Sequence, residues 1–139
     1  HITFTLECFE RRDVILKDTK ASLTVEETCR AIDKLRELGA LGDYTYIAGL
    51  DSYDAAVEGL SKLNAHVTAF PRIQVYQAHN AIMQRYVHPE ARDLSYYLRL
   101  RRSLEPQLAG RGLKPVYWEN YRPLWATHFN RDRTFGLRI

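Results

Sequence analysis

A chain of 139 residues that is 45% apolar, 27% charged and 12% aromatic, with a formal net charge of +3, has the balance of a folded globular protein and not of a disordered segment. No apolar run approaches the roughly 18–20 residues that a membrane span needs. Two cysteines rule out a disulfide framework and point to a reducing cytoplasm. The basic surplus lies late, at Arg99, Arg101, Arg102, Arg111, Lys114, Arg122, Arg131, Arg133 and Arg138, and is read as a solvated helical face and a basic tail, with no nucleic-acid partner expected. His1 opens directly onto a predicted strand, as expected of a piece of a longer protein or of a processed form.

Residues Ile2 to Phe9 alternate, with Ile2, Phe4, Leu6 and Cys8 on one face and Thr3, Thr5, Glu7 and Phe9 on the other. Period two over β-branched and aromatic residues predicts a strand with an apolar and a polar face. A charged, turn-like stretch follows from Glu10 to Ser22. Thr24 and Glu27 form an S/T-x-x-E capping box that opens a helix, with Val25, Cys29, Ile32, Leu35 and Leu38 as its apolar stripe and Gly39 at its end. Tyr44 to Leu50 is a second strand. Asp51 or Ser52 caps the next helix, with Ala56, Val57, Leu60 and Leu63 facing inward.

Val67 to Tyr76 is predicted as a third strand, with Pro71 at an edge, a bulge or its end, because proline cannot donate to a ladder. Ala81 to Tyr86 is a short helix, and His88-Pro89-Glu90 is a turn. Asp93 caps a long helix to about Leu108, with Leu94, Tyr97, Leu98, Leu104 and Leu108 apolar. Leu113 to Trp118 is a short fourth strand, and the remainder is irregular. Alternation of this kind predicts an α/β protein of parallel strands joined by right-handed crossovers. A complete (β/α)8 barrel needs about 200 residues or more, so the expected architecture is a small open sheet or part of a barrel.

In such folds ligands gather at the carboxyl ends of the strands. Three sequence clusters fall near predicted strand ends: residues 6–12, 46–51 and 70–79. Glu7 can accept hydrogen bonds from a ligand or pair with an ammonium group. It can equally form a salt bridge to Arg11 or Arg12. Cys8 and Cys29 are read as buried small hydrophobes, since neither stands in a metal-ligand spacing. His79 faces a site or is a polar loop residue. No H-E-x-x-H, glycine-rich phosphate loop or G-x-S-x-G elbow is present.

At these clusters the chain resembles the C-terminal half of a radical S-adenosylmethionine enzyme of the biotin-synthase-like group, over residues 1 to 125, with 126 to 139 as a basic tail. Thr5-Leu6-Glu7-Cys8-Phe9 looks like the family's fourth barrel strand. Thr45-Tyr46-Ile47-Ala48-Gly49 matches the middle of a G-x-I-x-G-x-x-E stretch, with Thr45 for the first glycine and Ser52 for the closing glutamate. Val67 to Gln77 resembles the sixth strand. The resemblance implies a partial (β/α) barrel that positions S-adenosylmethionine and a small-molecule substrate for 5′-deoxyadenosyl radical chemistry. It implies Glu7, Ile47, Gly49, Phe70 and Pro71 as cofactor contacts, one of Arg12, Lys17 and Lys20 as partner of the methionine carboxylate, and Gln74, Tyr76, Gln77 and His79 toward the substrate. The C-x-x-x-C-x-x-C loop that binds the [4Fe-4S] cluster is not in this sequence. Its ligands are expected on an N-terminal half-barrel or a separate subunit. The alternative expectation is a small non-catalytic α/β binding or interaction domain.

Overall fold

Apolar alternation over the strands and 3.6-residue spacing over the helices give one sheet with helices packed on it. The computed structural model describes residues 1–114. Strand β1 (Ile2–Glu7) leads through two single-turn helices, α1 (Arg12–Ile15) and α2 (Asp18–Ala21), to helix α3 (Val25–Glu37). Strand β2 (Gly42–Ala48) and helix α4 (Tyr53–Asn64) follow, then strand β3 (Arg72–Val75), a short helix α5 (Ala81–Gln84), a 3-10 turn at Pro89–Arg92 and helix α6 (Leu94–Ala109). The strands lie in the order β1-β2-β3 and both pairings are parallel. The expectation of parallel β/α units therefore holds at the level of an α/β fold with a three-stranded sheet. The fourth strand expected after Leu113 and the basic tail fall largely outside the described residues.

Crossovers of one hand that step in one direction place their helices on one side of the sheet. A single core meets this description. Leu6, Tyr44, Tyr46, Ala48 and Ile73 from the strands pack with Ile32 of α3, Leu60 and Leu63 of α4, and Tyr96, Leu100, Leu104 and Leu108 of α6. Each such leucine or isoleucine contributes roughly 1.5–3 kcal/mol by leaving water. Alternation puts Thr3, Thr5, Thr45, Ile47 and Gln74 on the opposite face, where each is half-buried or exposed.

Local chemistry explains the helix starts. The Thr24 hydroxyl accepts from the Glu27 amide at 3.1 Å, and the Glu27 carboxylate accepts from the Thr24 amide at 2.9 Å, as the capping box requires. Ser52, not Asp51, caps α4, accepting from the Ala55 amide. Asp93 caps α6. Cys8 and Cys29 are both buried free thiols, as expected.

Several details differ from the sequence reading: β2 runs over Gly42–Ala48 where Tyr44 to Leu50 was expected, and α5 ends at Gln84 and not Tyr86. β1 stops at Glu7, where the register with β2 slips and φ turns positive at 66°. Cys8 therefore follows the strand. β3 begins only at Arg72, after Pro71, so Val67 is a core residue without being a strand residue. In α6 the buried stripe is Tyr96, Tyr97, Leu100, Leu104 and Leu108, while Leu94 and Leu98 are exposed.

Candidate functional site

The carboxyl ends of β1 and β2 are joined by side chains whose charges meet main-chain groups. Asp51, fully buried, accepts the Phe9 amide at 2.9 Å on one carboxylate oxygen and the Glu10 amide at 2.8 Å on the other. It also accepts the Tyr46 hydroxyl at 2.9 Å. In return, the Glu10 carboxylate accepts the Ser52 amide at 2.7 Å. The loops after β1 and β2 thus exchange carboxylates. The Phe9 ring stacks on Tyr46 with centroids 5.3 Å apart. Arg11 donates to the carbonyls of Leu50 and Tyr86, at 2.6 and 3.0 Å, and the Tyr96 hydroxyl donates to the Asp51 carbonyl at 3.0 Å. Those bonds bring the segment after α5 and the start of α6 into the same tie.

Burial sets the protonation chemistry here. It raises the Asp51 carboxyl above the ordinary aspartate value, against the opposing pull of its amide and hydroxyl donors. It raises the Tyr46 hydroxyl well above the usual phenol value, and the neighbouring Asp51 charge adds to this. The Cys8 thiol is pushed up to about 12, chiefly by burial. A thiol held so firmly in its protonated form is a poor metal ligand and nucleophile.

Glu7 and Lys20 are the sequence-predicted residues brought into direct side-chain contact. Lys20 Nζ lies 2.5 Å from Glu7 Oε1, with the lysine exposed and the carboxylate largely covered. The partner of Glu7 is thus Lys20, and not the arginines expected as its salt-bridge partners. All of the Arg12 hydrogen bonds go to carbonyl oxygens, those of Leu6, Cys8, Lys20, Ala21 and Leu23. Its guanidinium donors are thus met from inside the chain.

Ile47 and Gln74 are register partners on the half-buried face. Gly49 follows β2 with φ 111°. A Cβ there would come within 2.9 Å of the Tyr97 hydroxyl and 3.5 Å of the Tyr76 Cβ, so the close approach that glycine permits is made by Tyr97. Tyr76 is half-buried and its amide donates to the Ala48 carbonyl at 2.9 Å. Gln77 and His79 are exposed just beyond β3. Phe70 and Pro71 are corrected in position. They precede Arg72, the first residue of β3, and so stand at the amino end of that strand, away from the groups gathered at the carboxyl ends.

Sequence reasoning missed Asp51 as the hub, because its partners at Phe9 and Glu10 lie more than forty residues away. A groove of about 360 Å³ adjoins these ties, lined by Phe9, Glu10, Arg12, Leu23, Ala55 and Gly59 among others. Among the described residues no group of three or more His, Cys, Asp or Glu side chains is placed to hold a metal ion. No helix among them is long and apolar enough to cross a membrane. No family model, curated protein or solved structure matches the chain.

Proposed function

We propose that the chain supplies the C-terminal part of a (β/α) barrel in a radical S-adenosylmethionine enzyme. The observation that carries this reading is the sidedness of the sheet. Parallel strands in unreversed order bury their apolar face under α3, α4 and α6 and present opposite a mostly polar face that carries Thr3, Thr5, Thr45 and Gln74 together with Ile47. That is the pattern of a barrel wall, whose inward residues alternate with outward ones along each strand. An opposite-charge pair, Glu7 and Lys20, stands at the strand carboxyl ends, where such barrels carry their chemistry.

Tested against its side chains, the chain does not fit a [4Fe-4S] cluster. It has two cysteines, both buried within the fold, so no cluster-bound step is assigned to it. S-adenosylmethionine fits better. Glu7 is available to its amino or ribose groups, Lys20 to its carboxylate, and Ile47 to the adenine, with Gln74 and Tyr76 toward a small-molecule substrate. The cofactor supplies the radical chemistry when bound, and these residues orient it and keep water from it. An N-terminal half-barrel or a separate subunit would carry the cluster.

Anaerobic reconstitution with iron and sulfide, on the chain joined to or paired with its cluster-bearing half, tests the reading. The expected result is [4Fe-4S] absorbance and formation of 5′-deoxyadenosine, with affinity for S-adenosylmethionine weakened about tenfold by Glu7→Gln. Absence of both cluster and cleavage product would overturn it. A second reading, a non-catalytic α/β binding domain, is favoured by the single core shared by the described strands and long helices. It predicts a monodisperse monomer that unfolds cooperatively and has no affinity for S-adenosylmethionine. Size-exclusion chromatography and calorimetric titration separate the two.

A further inference from the structure

Arg12 is half-buried and its guanidinium is ringed by main-chain oxygens. Nη1 donates to the Leu6 carbonyl at 2.8 Å and to the Cys8 carbonyl, the two carbonyls that bracket Glu7. Nη2 donates to Lys20 at 2.6 Å and Leu23 at 3.0 Å, and Nε to Ala21 at 3.3 Å. A guanidinium has five N–H donors in a fixed plane, and five carbonyls meet them.

The pattern explains the backbone at Glu7. Alternate carbonyls of an extended strand lie roughly 6.6 Å apart along the chain. Two acceptors of one nitrogen cannot be so far apart. The Cys8 amide donates to the Leu6 carbonyl at 2.8 Å, and Glu7, between them, has φ 66°. This is a three-residue turn of the rare, strained kind, and a non-glycine residue at positive φ persists only where its surroundings hold it there. The same guanidinium grips the carbonyl of Lys20 itself, and so fixes α2 beside that turn.

We propose that Arg12 is a positioning residue: through main-chain carbonyls it holds Glu7 in its turn and Lys20 within reach of it, and it touches no ligand itself. Its functional part rests on the reading of Glu7 and Lys20 as cofactor contacts; the placement of the pair does not. Lysine cannot replace arginine here, because an ammonium has three donors and no planar fork.

Nuclear magnetic resonance on the full chain tests the placement. In wild type, Arg12 nitrogens show scalar couplings across hydrogen bonds to the Leu6 and Cys8 carbonyls, and guanidinium rotation is slow. In Arg12→Lys, the φ of Glu7 returns to negative values and the Glu7–Lys20 side-chain contact is lost, while the Thr24–Glu27 capping signals stay in place. Added guanidinium ion restores the contact in Arg12→Ala. A folded Arg12→Lys chain that keeps both the turn and the contact would overturn the proposal. If that variant does not fold, the wild-type guanidinium decides: free rotation without couplings overturns it, and hindered rotation with couplings supports it.

Titration of the assembled protein with S-adenosylmethionine tests the functional part. Arg12→Lys and Glu7→Gln are each expected to weaken binding about tenfold, and the double variant to lose no more than the weaker single, because one acts through the other. Additive losses would mean that Arg12 meets the ligand directly, and would refute its positioning role. Failure of wild type to bind would sink the functional reading alone, leaving the placement to the resonance measurements.

Discussion

The two ends of the same three strands are held by different means. At the amino end one side-chain pair, His1 Nε2 on the buried Asp43 carboxylate at 3.0 Å, joins ties made by main-chain groups: the Ile2 amide donates to the Leu41 carbonyl, and Gly42 and Thr68 exchange hydrogen bonds. Apolar side chains there face water, Leu38 at 71%, Leu41 at 49% and Ile2 at 48% exposure. At the carboxyl end, Glu10, Arg11, Arg12 and Asp51 reach between segments to bind backbone groups. Charge density at strand ends is therefore not a measure of ligand contact. Most of that charge closes the loops, and the Glu7–Lys20 pair is what stands beyond them.

Removing the hub tests this contrast most severely. Asp51→Ala leaves two amides and the Tyr46 hydroxyl without their acceptor in a buried site, and is expected to lower stability by about 3 kcal/mol in urea denaturation. Leu38→Ala at the amino end is expected to change it by less than about 0.5 kcal/mol. Equal losses at the two ends would erase the distinction. Next in size is Gly59→Ala, since a Cβ there would lie 2.6 Å from the Phe9 ring and must push it off Tyr46. A loss of about 2 kcal/mol is expected from overpacking. The change should show in the near-ultraviolet circular dichroism of the stacked pair.

The pH response is smaller and has an unusual sign. Burial raises the Asp51 carboxyl above its unfolded value. The folded state thus binds the proton more tightly, and the stability gained from the protonated form is complete below the unfolded value and lost as pH rises through the folded one. Wild type should therefore gain stability relative to Asp51→Asn as pH falls from neutral through the carboxylate range. Paired urea titrations of the two proteins would detect it, and the opposite slope would mean that the donors outweigh burial. The smallest effect is expected for Lys20→Ala. Its ion pair with Glu7 involves a half-exposed ammonium, and a change within about 0.5 kcal/mol is expected.

Legibility followed the range of the interactions. The Thr24–Glu27 box and the Asp93 cap were readable because donor and acceptor lie within a few residues, and the α4 cap was narrowed to Asp51 or Ser52. The parallel α/β alternation was readable from the order of periodic segments. In α6 the expected Tyr97, Leu104 and Leu108 are buried, while Leu94 and Leu98 are exposed and Tyr96 and Leu100 take the remaining inward places. Tyr96 goes inward with its hydroxyl on the Asp51 carbonyl, and the amphipathic stripe turns with it. Val67 looked like a strand residue because burial, not strand pairing, sets its character. Glu7 was visible as a strand-end carboxylate, but its partner Lys20 lies thirteen residues on, at α2, and no local pattern pairs the two. Asp51 stood out only as a candidate cap at a strand end, since its amide partners Phe9 and Glu10 lie more than forty residues away.

The unreversed strand order has a consequence for how such a protein can change length over evolution. Each β/α unit lays its strand beside the last and its helix on the same side. A unit duplicated or lost at either edge would leave the neighbouring seams as they are, with no turning point to be redrawn. The ties at the carboxyl ends work against that modularity. Asp51 and Arg11 join segments from successive units, so the inherited piece is not one unit but the group of units that these ties lace together.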